Sequence, residues 1–277
     1  AERALLTKLP AEADREASAA RFYFLYYLGT SLGCVLLGVL IPRAGYSGPL
    51  LWVAVASVVA LAPLARLSPE ALAVEPPPPA QDRWPAFTKT LLQAALATFA
   101  SRLVYGMAIS RVPEAVDGLW DATWVGMVSA IYFSISAVVA LLAGPLIVRR
   151  SIGQVGLLAQ GLSVSGLCVL ALKEQSVWLL VGFALAAIGA SLFNPVETVI
   201  TGRLSTPENR VRISSLFTLA SSLGTSAAVL AGPALKHGWY YLAIAAITLV
   251  GAVTTRRLMT TPEEELRAQV ARELARD

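Results

Sequence analysis

The feature that most constrains this chain is a series of eight apolar runs, each close to the length needed to cross a lipid bilayer. They occupy residues 22–41, 50–66, 86–110, 124–148, 153–172, 176–200, 213–235 and 239–257. A helix needs about 20 mostly apolar residues to cross the hydrocarbon core. In lipid, a helix satisfies all its backbone hydrogen bonds within its own segment. The sequence therefore predicts an all-α fold, a polytopic membrane helix bundle with eight transmembrane helices.

The composition supports this class and argues against several others. Charged residues make up 14% of the chain, whereas a soluble domain carries about 25%. One histidine, His237, and two cysteines, Cys34 and Cys168, are too few for a metal centre or a disulfide framework. The basic residues are not clustered as a nucleic-acid surface requires. We find no HExxH motif and no glycine-rich phosphate loop with a lysine. We therefore expect no enzyme activity, cofactor, metal or nucleic-acid partner.

The positions of the basic residues predict the orientation of the spans. With the N-terminus in the cytoplasm, the segments on that side hold seventeen of the 22 lysines and arginines. The opposite side holds four, Arg43, Arg111, Lys173 and Lys236, and Arg102 lies inside a span. Cytoplasmic loops of membrane proteins carry an excess of Lys and Arg. We therefore expect a multi-pass protein of the cell (inner) membrane with both termini of this chain in the cytoplasm.

Two segments of the chain, 195 residues apart, resemble each other. Arg15 precedes Gly29-Thr30-Ser31, and Arg210 precedes Gly224-Thr225-Ser226, with 14 residues from arginine to glycine in both cases. The offset between the two copies equals six predicted spans. A six-span internal repeat is typical of membrane transporters.

A proline-rich segment, residues 67–85, separates the first two predicted spans from the last six. It contains four consecutive prolines, Pro76 to Pro79, which favour an extended spacer. The segment 259–277 is charged, with Thr261 placed as an N-cap and Pro262 at the first helical position. We expect a cytoplasmic linker at 67–85 and a tail helix on the cytoplasmic surface at 259–277.

This arrangement resembles the major facilitator superfamily, whose transporters have two six-helix lobes joined by a longer cytoplasmic linker. The resemblance implies that residues 1–66 are a remnant of the N-terminal lobe that holds the fifth and sixth helices. It implies that residues 86–258 are the complete C-terminal six-helix lobe. The repeated Arg and Gly-Thr-Ser then mark the fifth and eleventh helices, which are equivalent in the two lobes.

Two shorter patterns add to the resemblance. The segment Gly144 to Gly153 is similar to the family's short cytoplasmic loop motif, although Val148 stands at its acidic position and Ser151 at its second glycine. A salt bridge attributed to that acidic residue is therefore not transferred. A basic turn that only follows the charge rule is an equal alternative. The segment Pro207 to Arg212 resembles the loop before the eleventh helix.

Arg102 is the charged residue that lies deepest in a predicted span. A charge there costs at least about 2.5 kcal/mol on insertion scales, so we expect it to face a water-filled cavity or a partner. In the functional interpretation, Arg102 anchors an anionic or carboxylate-bearing substrate. The alternative is that the side chain extends to the outer interface. Glu197 lies near the cytoplasmic end of its span, beside Pro195. It is a gating or proton-binding candidate, or a structural ion-pair partner of Arg149 or Arg203.

Two polar stripes are further candidates for the substrate path. Tyr23, Tyr27 and Thr30 share one face of the first span. In the seventh span, hydroxyl residues recur at helical spacing on one face; they are Ser214, Thr218, Ser221 and Thr225. Small and hydroxyl-bearing residues also pack helices together in membranes, so interhelical packing is the alternative for both stripes.

We therefore expect transmembrane transport of a small solute by a secondary or facilitative transporter that uses alternating access. The chain starts at Ala1 rather than at methionine, and we expect it to be part of a longer protein. The expected partners are the solute, the lipid bilayer, a coupling proton or ion, and the missing N-terminal helices or another membrane protein. The alternative is a non-transporting membrane subunit or scaffold derived from a truncated transporter fold. Four more apolar spans encoded upstream of Ala1 favour transport, and an initiator methionine directly before it favours the subunit.

Overall fold

The structure is a computed structural model of the 277-residue chain. It describes residues 12–45, 51, 55, 88–116, 122–150, 152–172, 176–205, 209–232, 237–261, 265, 268 and 270. Within these residues, every regular element is a helix. The seven long helices are α1 (Glu12–Ala44), α2 (Lys89–Val116), α3 (Ala122–Arg149), α4 (Ile152–Leu172), α5 (Ser176–Leu204), α6 (Arg210–Ala231) and α7 (His237–Thr260).

Each of these seven helices contains a stretch that is long and apolar enough to cross a membrane. The stretches are Ala20–Arg43, Lys89–Arg111, Val125–Leu146, Ile152–Leu172, Trp178–Leu204, Val211–Ala231 and Gly238–Leu258. They match seven of the eight predicted spans to within a few residues, which confirms a helical, multi-pass architecture. The other predicted span, 50–66, and the predicted linker, 67–85, lie outside the described residues apart from positions 51 and 55. Eight spans and the two-lobe division therefore stay predictions.

Several helix ends differ from the predicted ones. Helix α5 continues to Leu204 rather than to residue 200. Helix α6 ends at Ala231 with Gly232 as its C-cap rather than at residue 235, because Pro233 has no N–H with which to continue the helix. After α7, the hydroxyl of Thr261 donates to the carbonyl of Arg257 at 3.0 Å. The N-cap predicted for Thr261 concerns the next residues, which lie outside the described part of the chain.

Helices α2 and α5 lie at the centre of the bundle. In the apolar window of each, 67% of residues are buried, compared with 17% in α1. Helix α2 packs against α5, α6 and α7, and α4 packs against α5 and α7. Helix α1 packs mainly along α3 and also contacts α5. A polar side chain on the inner face of α2 or α5 therefore has protein rather than lipid around it.

Glycines allow close approach at two helix contacts. A Cβ at Gly126 of α3 would lie 2.6 Å from Cα of Gly38 in α1. A Cβ at Gly224 of α6 would lie 2.5 Å from the carbonyl oxygen of Phe99 in α2. In contrast, a Cβ at Gly29, the counterpart of Gly224 in the repeat, would meet no atom within 4 Å. The two copies of the repeat are therefore alike in sequence and different in packing.

Candidate functional site

The centre of the bundle contains a buried ion pair between α2 and α5. Nη2 of Arg102 donates a hydrogen bond to Oε2 of Glu197 at 2.9 Å, and the two side chains are 10% and 1% exposed. Residues 100–108 of α2 and 191–197 of α5 are all buried, so neither head group can turn to lipid. Each bare charge at this depth costs about 2.5–3.5 kcal/mol on insertion scales. Pairing offsets much of that cost, which explains why two ionisable residues persist here.

In the structure, the recorded hydrogen bond from the Arg102 guanidinium to Glu197 uses one of its nitrogens, Nη2. Nε of Arg102 is buried and has no hydrogen-bond partner within the described residues. The guanidinium carbon lies 5.7 Å from the ring centroid of Tyr105, one turn further along α2. An arginine over an aromatic face is stabilised by the ring quadrupole. Arg102 is therefore held by Glu197 on one side and Tyr105 on another, with an unused N–H.

Two tyrosines and one serine of α1 connect that helix to the bundle through their hydroxyl groups. The hydroxyl of Tyr27 accepts a hydrogen bond from Nδ2 of Asn194. The hydroxyl of Tyr23 lies 3.5 Å from Oγ1 of Thr198. Nearby, Ser31 donates to the carbonyl of Ala130 in α3 at 2.9 Å. Helix α1 is therefore attached by side-chain hydrogen bonds both to α5 and to α3.

Aromatic rings from three helices form a connected group beside Arg102. We call this group the aromatic cluster; its members are Tyr23, Tyr26, Tyr27, Tyr105, Tyr132 and Phe133. Phe133 is its hub, with ring centroids 6.3 Å from Tyr27, 6.3 Å from Tyr105 and 5.2 Å from Tyr132. The hydroxyls of Tyr26 and Tyr105 lie 3.3 Å apart. The hydroxyl of Tyr132 is buried with no hydrogen-bond partner in the described part of the chain.

Taken together, these groups form a polar and aromatic centre shared by α1, α2, α3 and α5. It has one cation, one anion and several oriented hydroxyls inside an apolar bundle. No group of three or more His, Cys, Asp or Glu side chains that could hold a metal ion occurs among the described residues. The arrangement can bind a charged small molecule by exchanging one partner of the ion pair for the ligand.

Comparison with known proteins agrees with this architecture. The family model described as Major Facilitator Superfamily matches residues 94–276, which is more than half of the chain. The chain belongs to the Major Facilitator Superfamily. Its members are membrane transporters, and the seven apolar helices agree with a multi-pass membrane protein of this transporter family. No curated protein matches the chain.

Four of the predicted site residues of this superfamily member meet in the centre. Tyr23 and Tyr27 are buried against α5, and Arg102 is bonded to Glu197. The alternative in which Arg102 extends to the outer interface is wrong, because its guanidinium is buried against Glu197. The structure gives Glu197 a salt bridge with Arg102, whereas an ion pair of Glu197 with Arg149 or Arg203 stays a prediction.

The other predicted path residues do not join the centre. Thr30 is half-buried, and its hydroxyl donates to the carbonyl of Tyr26 in the same helix at 2.9 Å. In α6, Thr218 is exposed and donates to the carbonyl of Ser214, and Thr225 donates to the carbonyl of Ser221. These hydroxyls are therefore bonded to their own helices. A role for Thr30, Thr218, Ser221 and Thr225 in the path stays a prediction.

Sequence reasoning missed several members of the centre. Asn194 was overlooked because an amide beside a proline gives no periodic signal, and Phe133 because a phenylalanine is ordinary in an apolar run. Tyr132 was overlooked for the same reason. The signal that could have found the ion pair was available, since Arg102 and Glu197 are opposite charges well inside the spans. Intramembrane ionisable residues commonly pair with one another.

Proposed function

We propose that the protein transports a small acidic solute across the cell membrane by alternating access, as a secondary or facilitative transporter. The observation that carries this proposal is the buried pair of Arg102 and Glu197 at the centre of the bundle. Maintaining two charges in a membrane helix core is costly. A purely structural contact between α2 and α5 could be made by apolar residues at similar or lower cost.

The pair gives a simple mechanism for binding and release. An acid group of the solute takes the place of Glu197 on Arg102, so that the guanidinium keeps a negative partner throughout. The displaced carboxylate of Glu197 then takes up a proton from water, or turns to a nearby hydroxyl. On release, the solute leaves Arg102, the proton leaves Glu197, and the carboxylate of Glu197 forms its ion pair with Arg102 again. When the proton enters from one side of the membrane and leaves with the solute on the other, one proton crosses with each solute and transport is coupled to the proton gradient.

We propose that helix α1 moves relative to α5. Helix α1 packs along much of α3, but its contact with α5 is short, and the hydrogen bonds recorded across that contact are those of Tyr23 and Tyr27. Such contacts can be broken and remade at modest cost, because each bond across a membrane interface is worth about 0.6 kcal/mol on average. In the same proposal, both termini of the chain lie in the cytoplasm and the membrane is the inner membrane.

The test measures how solutes are distributed across the cell membrane, without assuming which solute is transported. Cells that produce the wild-type protein, Arg102→Ala, Arg102→Lys or Glu197→Gln at equal membrane levels are compared by untargeted mass spectrometry of cell extract and medium. Arg256→Ala is the control, because Arg256 is an exposed basic residue at the end of α7. We expect at least one acid to change its ratio across the membrane in wild-type and control cells, and the change to be lost in Arg102→Ala. Equal ratios in wild-type and Arg102→Ala cells would exclude Arg102 as the anchor, and equal ratios with and without the protein would exclude transport.

The hydroxyl stripe of α6 has its own test within this proposal. Thr218→Cys is introduced after Cys34 and Cys168 are replaced by serine, and its reaction with a membrane-impermeant thiol reagent is measured from each side. If the stripe lines the path, the solute lowers the reaction rate at Thr218→Cys. A rate that no acid changes removes the stripe from the path.

A further inference from the structure

We infer that the solute is a flat aromatic carboxylate, bound with its acid group on Arg102 and its ring against the aromatic cluster. This inference rests on the proposed function, since it names the class of acid that the same site takes. Four features of the centre support it: the unfilled edge of the guanidinium, a buried hydroxyl beside the rings, the orientation of the rings and the position of the positive charge.

The first feature is the way in which Arg102 is held. Nη2 and Nε form one edge of a guanidinium, and a carboxylate matches this edge with two parallel hydrogen bonds. Glu197 accepts from Nη2, while Nε has no hydrogen-bond partner within the described residues. An Nε–H group is a donor only, so the group that completes this edge must supply an acceptor. A solute carboxylate can accept from both nitrogens, whereas the bond recorded for Glu197 is to Nη2.

The second feature is a buried hydroxyl beside the rings. The hydroxyl of Tyr132 has no hydrogen-bond partner in the described part of the chain, although the residue is only 6% exposed. Tyr132 packs edge-on against Phe133, at 87° between ring planes, and Phe133 in turn packs against Tyr105. This hydroxyl can donate a hydrogen bond to an acceptor on a bound solute, so it offers a polar contact beside the rings.

The third feature is the fixed orientation of the ring faces. The hydroxyls of Tyr23, Tyr26 and Tyr27 are bonded to side chains of other helices, which fixes the position of each ring. The rings also pack against one another and against Phe133, so their planes are set before a ligand arrives. Preorganised groups lose less conformational freedom on binding. Flat, immobile surfaces fit a flat, rigid solute, and aromatic pairs gain energy beyond the area that they bury.

The position of Arg102 also excludes the opposite class of ligand. Aromatic clusters often bind organic cations, but here the guanidinium itself lies over the ring of Tyr105 at 5.7 Å. A second cation beside it would be repelled and would find Glu197 already neutralised by Arg102. The site therefore favours an aromatic anion over an aromatic cation of the same size.

The test uses matched probes with the purified protein in detergent and saturation-transfer NMR titrations. The probes are benzoate and 2-naphthoate, their saturated counterparts cyclohexanecarboxylate and decahydro-2-naphthoate, and the cation benzylamine. We expect each aromatic acid to bind about 2- to 12-fold more tightly than its saturated counterpart, as expected for one aromatic contact. Benzylamine should not compete, and Arg102→Ala should abolish acid binding.

A second variant separates the contribution of the aromatic cluster to binding from the contribution of Arg102. Phe133→Leu removes the hub of the aromatic cluster and keeps Arg102. We expect it to remove the preference for the aromatic acid while binding of cyclohexanecarboxylate stays within a factor of about two, less than the smallest aromatic gain. Arg102-dependent binding with no preference between aromatic and saturated acids would overturn the aromatic inference and leave the proposed function in place. Failure of both aromatic acids to bind, with transport of another solute intact, would overturn the inference alone.

Discussion

Removal of one charge of the central pair should be far more damaging than removal of both. The perturbation is a set of three variants, Arg102→Met, Glu197→Leu and the double variant. With Nη2 and Oε2 2.9 Å apart, Coulomb's law at an effective dielectric constant of about 20 gives an attraction of about 6 kcal/mol. Both side chains are at most 10% exposed, so a remaining single charge cannot be solvated by water in the closed bundle.

From these values, each single variant should lose about 3–5 kcal/mol of stability, the usual cost of leaving one buried charge without its partner. The double variant has no charge to solvate and two apolar side chains of similar volume. It should be within about 1 kcal/mol of wild type or up to about 4 kcal/mol more stable. The energies of the two single variants therefore do not add, because the residues share one interaction.

The assay is reversible unfolding of the purified protein in mixed micelles, followed by tryptophan fluorescence as denaturing detergent is added. The same four proteins are then tested for solute distribution in cells. If the pair serves transport, the double variant is stable and inactive. A loss of less than 1 kcal/mol in both single variants would refute the argument, because it would mean that water already solvates these charges. A double variant with full transport would refute the functional role of the pair.

Three other predictions follow from the helix contacts. Gly224→Ala should lower the free energy of unfolding by about 1–3 kcal/mol, because the new Cβ meets the backbone of α2. Gly29→Ala should leave that free energy unchanged or raise it by about 0.5–1 kcal/mol through helix propensity. Equal effects of the two variants in unfolding experiments would contradict this contrast. Ser31→Ala should lose about 0.6 kcal/mol, the average for a hydrogen bond between membrane helices, and should speed hydrogen exchange in α1, so unchanged exchange would show that the bond does not hold the helix. Tyr27→Phe should lose about 1–3 kcal/mol because Nδ2 of Asn194 is left buried without its acceptor, and a stability equal to wild type would show that this amide finds another partner.

The fold was largely predictable because each membrane helix corresponds to a long apolar run in the sequence. Hydropathy runs located seven helices to within a few residues, since the bilayer fixes both their length and their composition. The ends were less accurate. The continuation of α5 to Leu204 includes polar and basic residues that a hydropathy window excludes, and helix hydrogen bonding does not depend on side-chain polarity.

The candidate site was only partly predictable, because the sequence does not fix how deep each residue lies in the bundle or which face of a helix packs against its neighbours. Arg102 and Glu197 were each singled out, but the predicted end of the span at residue 200 placed Glu197 near the cytoplasmic surface and Arg102 far from it. Because α5 extends to Leu204, Glu197 lies about two turns inside the helix, and the long side chain of Arg102 reaches it. In α1, the helical spacing predicts a polar face made of Tyr23, Tyr27 and Thr30, whereas the buried face of the helix contains Tyr23, Tyr27 and Ser31. Thr30 and Ser31 both fit a 3.6-residue period after Tyr27. The position of α3, which packs against Ser31, decides which of the two is buried.

One turn of α5 connects the ion pair to the contact with α1. Asn194 bonds to Tyr27, Glu197 to Arg102, and Thr198 lies within reach of Tyr23. Pro195 lies in this turn and has no N–H, so it leaves a carbonyl of the preceding turn without its helical bond and lowers the cost of bending there. A bend at this point changes the distance from Glu197 to Arg102 and the position of the tyrosine partners together. In the proposed mechanism, the exchange of a solute for Glu197 is therefore linked to the packing of α1 against α5, because both depend on the same few residues of one helix.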